Sequence, residues 1–175
     1  MNNHQGRKVF VLGGARSGKS AFALAQASSL PGRKAYIATA QAFDDEMKVR
    51  IERHRLERLA DWDTFEEPLD LSGLLVKIRD SHDVILIGCL TLWLSNLMLA
   101  DKDILKETES FISALTNVGG SLFAVSNEVG FGIVPENEMA RKFRDLAGTL
   151  NQQVAAAADQ VYLVAAGIPI KIKEI

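Results

Sequence analysis

Lys8-Val9-Phe10-Val11-Leu12 followed by Gly13-Gly14-Ala15-Arg16-Ser17-Gly18-Lys19-Ser20 is the stretch on which the fold turns. A short apolar run reads as a buried strand, and the segment from Ser20 to Ser29 reads as a helix. The loop between them matches G-x-x-x-x-G-K-[ST] in full, in strand, loop and helix context. Glycines let the backbone curl so that successive N–H groups face phosphate oxygens, and the helix N-terminus adds its positive dipole end. Lys19 would reach the β and γ phosphates, and Ser20 would offer its hydroxyl to Mg²⁺. Nucleotide phosphate binding is therefore the first functional expectation.

Working outward, short apolar runs alternate with longer amphipathic ones, the pattern of an α/β protein with a parallel sheet flanked by helices. Strands are expected at Lys8–Leu12, Lys34–Ala38, Val84–Ile87, Ser121–Val125 and Gln160–Val164, with Ile168–Ile172 as an edge strand. Helices are expected at Ser20–Ser29, Asp44–Leu59, Asp70–Arg79, Leu90–Leu99, Ile104–Leu115 and Glu138–Ala158. In the last, apolar residues at 139, 143, 146, 150 and 154 form a stripe expected to face the core. Val84 to Ala100 runs 17 residues without a charge. Gly88 after a β-branched run, with Ser95 and Asn96 further on, makes this a buried strand and a core helix, not a membrane span.

The 175 residues suit one domain, 1–175, with residues 1–7 as a polar leader. Twenty Lys+Arg against 22 Asp+Glu leave a charge of −2, so no global field holds the chain to nucleic acid or anionic lipid. The single Cys89 excludes an internal disulfide, and the N-terminal residues are too polar for a signal peptide, so a cytoplasmic protein is expected. Three histidines and one cysteine, widely spaced, make no zinc site.

Two further segments carry chemistry. At helical spacing Arg50, His54 and Arg58 share one face, a histidine between two guanidiniums. Nearby positive charge disfavours the imidazolium, leaving a neutral ring nitrogen able to attack phosphorus, although the same spacing also suits a plain solvated basic helix. Ser126-Asn127-Glu128-Val129-Gly130, running on to Pro135-Glu136-Asn137, follows a strand and belongs at the carboxyl edge of the sheet, where open α/β folds bind ligands.

Together these segments resemble the bifunctional adenosylcobinamide kinase/adenosylcobinamide-phosphate guanylyltransferase family of cobalamin biosynthesis. The resemblance rests on residues 13–20, Tyr36-Ile37-Ala38-Thr39-Ala40, Asp44-Asp45-Glu46-Met47 leading to Arg50-Ile51 and His54-Arg55, and Glu66-Glu67-Pro68. It continues through Cys89-Leu90-Thr91-Leu92-Trp93-Leu94-Ser95-Asn96, Ser126-Asn127-Glu128-Val129-Gly130 and Ala140-Arg141 with Phe143-Arg144-Asp145. It implies a RecA-like P-loop NTPase fold, a trimer, and an enzyme of two steps. A nucleoside triphosphate, ATP or GTP, phosphorylates adenosylcobinamide; GMP from GTP then passes through a guanylylated histidine to adenosylcobinamide phosphate. His54 matches the nucleophile. Gly13, Gly14, Ala15, Arg16, Ser17, Gly18, Lys19, Ser20, Ala38, Thr39, Ala40, Arg55, Arg58 and Glu66 are the implied nucleotide-binding residues, with Ser20 on Mg²⁺.

Gly88 departs from the pattern, which places Asp or Glu just before Cys-Leu-Thr. Glycine cannot ligate or orient Mg²⁺, so the activity is impaired unless Asp83, Glu66 or Glu128 reaches the site. A P-loop kinase for another small metabolite, and a nucleotide-binding module without turnover, are the alternatives.

Overall fold

The computed structural model describes residues 6–41 and 61–175. The elements are β1 Lys8–Gly13, α1 Lys19–Ser28, β2 Lys34–Ala38, β3 Trp62–Glu66, α2 Leu71–Ile78, β4 Val84–Gly88, α3 Leu90–Leu99, α4 Ile104–Thr116, β5 Ser121–Asn127, α5 Glu138–Ala157, β6 Gln160–Ala165 and β7 Ile168–Glu174. Among the described residues they build one seven-stranded sheet in the order β3-β2-β4-β5-β1-β6-β7. Every neighbouring pair is parallel except β6 with β7.

Both faces of the sheet are buried at its centre, which is why Val84-Ile85-Leu86-Ile87 is continuously apolar. Phe10, Ile37, Ile85, Ile87 and Leu122 face α2 to α5, whereas Val9, Val11, Leu86, Phe123 and Val125 join Ala23 and Ala27 of α1. Trp93 and Phe111, both fully buried, meet with centroids 5.1 Å apart. Such a tilted ring pair adds about 0.5–1.5 kcal/mol beyond the area it buries. Val84 to Ala100 resolves into β4 and α3, and no helix among the described residues is long and apolar enough to cross a membrane.

Three expectations need adjusting. The sequence reading places no strand at Trp62–Glu66, yet β3 pairs with β2 along its whole length. As an edge strand it buries Trp62 and half-buries Phe65 among Asp63, Thr64 and Glu66, so it lacks a continuous hydrophobic run. The α5 stripe is apolar-buried only toward its C-terminal half: Ala147, Leu150 and Val154 are buried, Phe143 and Leu146 are partly covered, and Met139 is 67% exposed. A 20-residue helix spans about 30 Å against about 20 Å for a typical strand, so the strands cannot cover its whole length. Of the expected leader, Arg7 is tied into the sheet, its carbonyl accepting from Leu122 N at 2.8 Å. The helix expected at Asp44–Leu59 lies outside the described residues.

Candidate nucleotide site

Helix N-termini divide into two kinds. Asp70, Asp103 and Asn137 close α2, α4 and α5 by accepting from Gly73, Lys106 and Ala140 N–H groups. Gly18 precedes α1 and Cys89 precedes α3 with no side-chain cap, so these two first turns keep backbone donors open. Both follow strands at the carboxyl edge of the sheet.

The loop before α1 is built by conformations that few residues tolerate. Gly18 has φ +93° and Arg16 φ +56°. A Cβ on Gly13 would lie 2.4 Å from Ser17 Oγ and 2.6 Å from the Val164 carbonyl, so only glycine fits there. Ser17 N donates to the Gly14 carbonyl at 3.3 Å, and Lys19 Nζ reaches back to the same oxygen at 3.0 Å. Lys19 and Ser17 are buried, while Gly14, Ala15, Arg16, Gly18 and Ser20 are exposed. The loop is held from outside by a two-residue hairpin turn, Ala166-Gly167, between β6 and β7. Gly167 N donates to the Ser17 carbonyl at 2.8 Å. The loop residues expected from sequence thus lie together between β1 and α1, with Ser20 exposed on the first turn of α1.

The remaining expected residues stand along the same edge but apart from the loop. Glu66, Ala38, Gly88, Val125 and Val11 form one register row across β3, β2, β4, β5 and β1. Strand spacing puts the end of β2 about 14 Å and that of β3 about 19 Å from the loop strand. Thr39 is fully buried. Its hydroxyl donates to the Cys89 carbonyl at 2.8 Å and accepts from Cys89 N at 2.9 Å, pinning β2 to the start of α3. Asn96 Nδ2 donates to the Thr39 and Pro68 carbonyls at 2.7 and 3.1 Å, drawing in the end of β3. Ala40 is half-buried and Glu66 exposed. His54, Arg55 and Arg58, with Arg50, lie outside the described residues.

A polar cluster between these groups has no counterpart in the sequence reading. Asn127, at the end of β5, donates through Nδ2 to Thr91 Oγ1 at 2.8 Å and to Cys89 Sγ at 3.6 Å. Thr91 Oγ1 lies 2.8 Å from Cys89 Sγ. Asn151 Nδ2 holds the Asn127 carbonyl at 3.2 Å, and Glu128 N donates to the Gly13 carbonyl at 3.0 Å. The loop that follows lies at the sheet edge as expected and exposes Phe131, Ile133 and Val134.

A glycine-rich loop and an open helix N-terminus at the edge of this parallel sheet define a P-loop NTPase of RecA-like architecture. A KaiC-like protein from Pyrococcus horikoshii shares the fold, with TM-score 0.52, 12% identity, and coverage of 91% of this chain and 71% of that one. The profile of the cobinamide kinase / cobinamide phosphate guanyltransferase family matches residues 9–172, and the chain belongs to that family. The bifunctional adenosylcobalamin biosynthesis protein CobP of Pseudomonas aeruginosa is 43% identical, over 93% of this chain and 95% of its own length. The Escherichia coli and Salmonella typhimurium proteins CobU, named in the same way, are 43% and 42% identical over 94% of this chain and 99% of theirs.

Proposed function

We infer that this chain carries out both reactions of its family at the one P-loop. A hydroxyl oxygen of adenosylcobinamide attacks the γ-phosphorus of ATP or GTP, and the nucleoside diphosphate leaves. In the second reaction a ring nitrogen of His54 attacks the α-phosphorus of GTP, a P–N bond forms as the α–β bridge breaks, and pyrophosphate leaves. A phosphate oxygen of adenosylcobinamide phosphate then displaces the histidine from that phosphorus, giving adenosylcobinamide-GDP. Lys19 and the loop N–H groups hold the phosphates through each displacement, and Arg55 and Arg58 offset charge on the departing pyrophosphate. A Mg²⁺ ion on Ser20 would draw charge from the phosphate oxygens. A cytoplasmic trimer completes the proposal.

The observation that carries it is the intact loop, clamped by Gly167 and open at Ser20, in a chain that matches the family from residue 9 to 172. Incubation with GTP labelled at the α-phosphate tests it. The expected product is an acid-labile, base-stable covalent label, lost in His54→Ala with GTP binding retained and lost in Lys19→Ala together with kinase activity. Label that persists in His54→Ala refutes the nucleophile, and guanylyltransferase activity surviving in Lys19→Ala refutes a shared loop. Gly88 favours a second reading, a module that binds nucleotide without turnover: tight GTP binding with neither label nor phosphorylated cobinamide would select it.

A further inference from the structure

On the P-loop reading a carboxylate opposite Ser20 would orient Mg²⁺, and β4, which ends in Gly88, offers none. Three acids were open from sequence, and the fold separates them. Asp83 precedes β4, so it stands at the amino edge, where its carboxylate accepts from Arg33 N at 2.8 Å. A parallel strand of this length holds its two ends about 17 Å apart, which takes Asp83 out of reach of the loop. Glu66 ends β3, four strand positions from β1 and about 19 Å away. Glu128 directly follows β5, the strand inserted between β4 and the loop strand β1.

Glu128 is also fastened to the loop. Its N–H donates to the Gly13 carbonyl at 3.0 Å, and its neighbour Asn127 is the register partner of Gly13. Asn127 in turn grips Thr91 and Cys89 just beyond Gly88. The residue therefore sits between the place where the acid is missing and the place where the phosphates bind. Its carboxylate turns back on its own loop to accept from Gly130 N, and the side chain is half-buried. The backbone of Glu128 lies one strand spacing from the loop strand, so its side chain, turned from Gly130 toward Ser20, could meet a cation held there, with the hard oxygen donors that Mg²⁺ takes.

We propose that Glu128 supplies the metal-orienting carboxylate of this site in place of the acid absent at Gly88. The proposal rests on the P-loop reading given above and names the residue that completes it. Its test reads metal binding directly. A GTP analogue with a non-cleavable α,β bridge is titrated into the protein by calorimetry in Mg²⁺ and in EDTA, and Mn²⁺ bound with the analogue is counted by electron paramagnetic resonance. In Glu128→Gln the Mg²⁺-dependent gain in affinity should fall at least tenfold while the affinity in EDTA stays within about twofold. Gly88→Asp combined with Tyr36→Phe should restore that gain in the Glu128→Gln background, showing that the two positions serve one ion. Ser20→Ala separates the two levels of the argument. If it keeps full Mg²⁺ dependence, the P-loop metal reading fails; if it loses that dependence while Glu128→Gln keeps it, only the assignment of Glu128 is overturned.

Discussion

Returning an acid to β4 meets an obstacle that can be sized. A Cβ at position 88 would lie 2.6 Å from Tyr36 Oη and 3.4 Å from its ζ carbon. Side-chain carbons do not approach oxygen that closely, so the phenol must swing out of the row next to Ala38 and Gly88. Crowding of this kind costs roughly 1–3 kcal/mol. Removing only the oxygen leaves the nearest atom at 3.4 Å, ordinary van der Waals contact. Gly88→Asp should therefore be less stable in urea by about 1–3 kcal/mol, and Tyr36→Phe should recover most of that when added to it. The double-mutant cycle should show a favourable coupling of about 1–2 kcal/mol between two residues in contact. Kinase turnover supplies the second readout. With Glu128 in place the acid at 88 should change turnover little, whereas in Glu128→Gln it should add ten- to a thousandfold, about 1.4–4 kcal/mol of transition-state stabilisation. Additive stabilities would refute the clash with Tyr36, and a thousandfold gain in the otherwise unchanged chain would refute Glu128 as the acting acid.

Two other outcomes follow from the backbone and from burial. Ala166 holds φ +51° in the two-residue hairpin turn, so Ala166→Gly should relieve left-handed strain and raise stability by roughly 0.5–1 kcal/mol, seen as a rise of about 1–4 °C by calorimetry; a fall would refute the reading of that turn. Lys8 is buried, with Nζ on the Val118 and Gly120 carbonyls at 2.7 and 3.0 Å. Burial pulls its ammonium below the usual 10.5, with Asp159 opposing. The unfolded chain then binds the Lys8 proton more tightly than the folded one, so stability should rise as pH climbs through the folded value toward 10.5. Urea unfolding of Lys8→Met across that range should lack this rise, and an equal slope in both proteins would refute it.

The parts of the fold that were legible in sequence are those written in local pattern. Lys34–Ala38 and Leu90–Leu99 stand as expected because a buried run and a helical period are each decided within a few residues. The phosphate loop was legible because its conformation demands glycines at fixed spacing. Trp62–Glu66 was not, since its strand character comes from pairing with β2 and its two apolar residues, Trp62 and Phe65, are too few and too far apart to read as a run. The Cys89–Thr91–Asn127 cluster was invisible for a related reason: three ordinary polar residues become a unit only when β4 and β5 lie side by side. Thr39 carried a motif in sequence, but nothing there could reveal that its hydroxyl is committed to the Cys89 backbone.

The contact between Gly167 and Ser17 sets an order on the making of the protein. The loop is made before the turn that fastens its carbonyl, with β2 to β6 made in between. A nascent chain that has completed β1 and α1 carries every residue of the phosphate motif but not the hairpin that holds it. On the proposed function, nucleotide would stabilise the chain most fully once β6 and β7 have closed on the loop. Capture on a nucleotide resin would in this way favour chains in which β6 and β7 have closed over chains in which they have not.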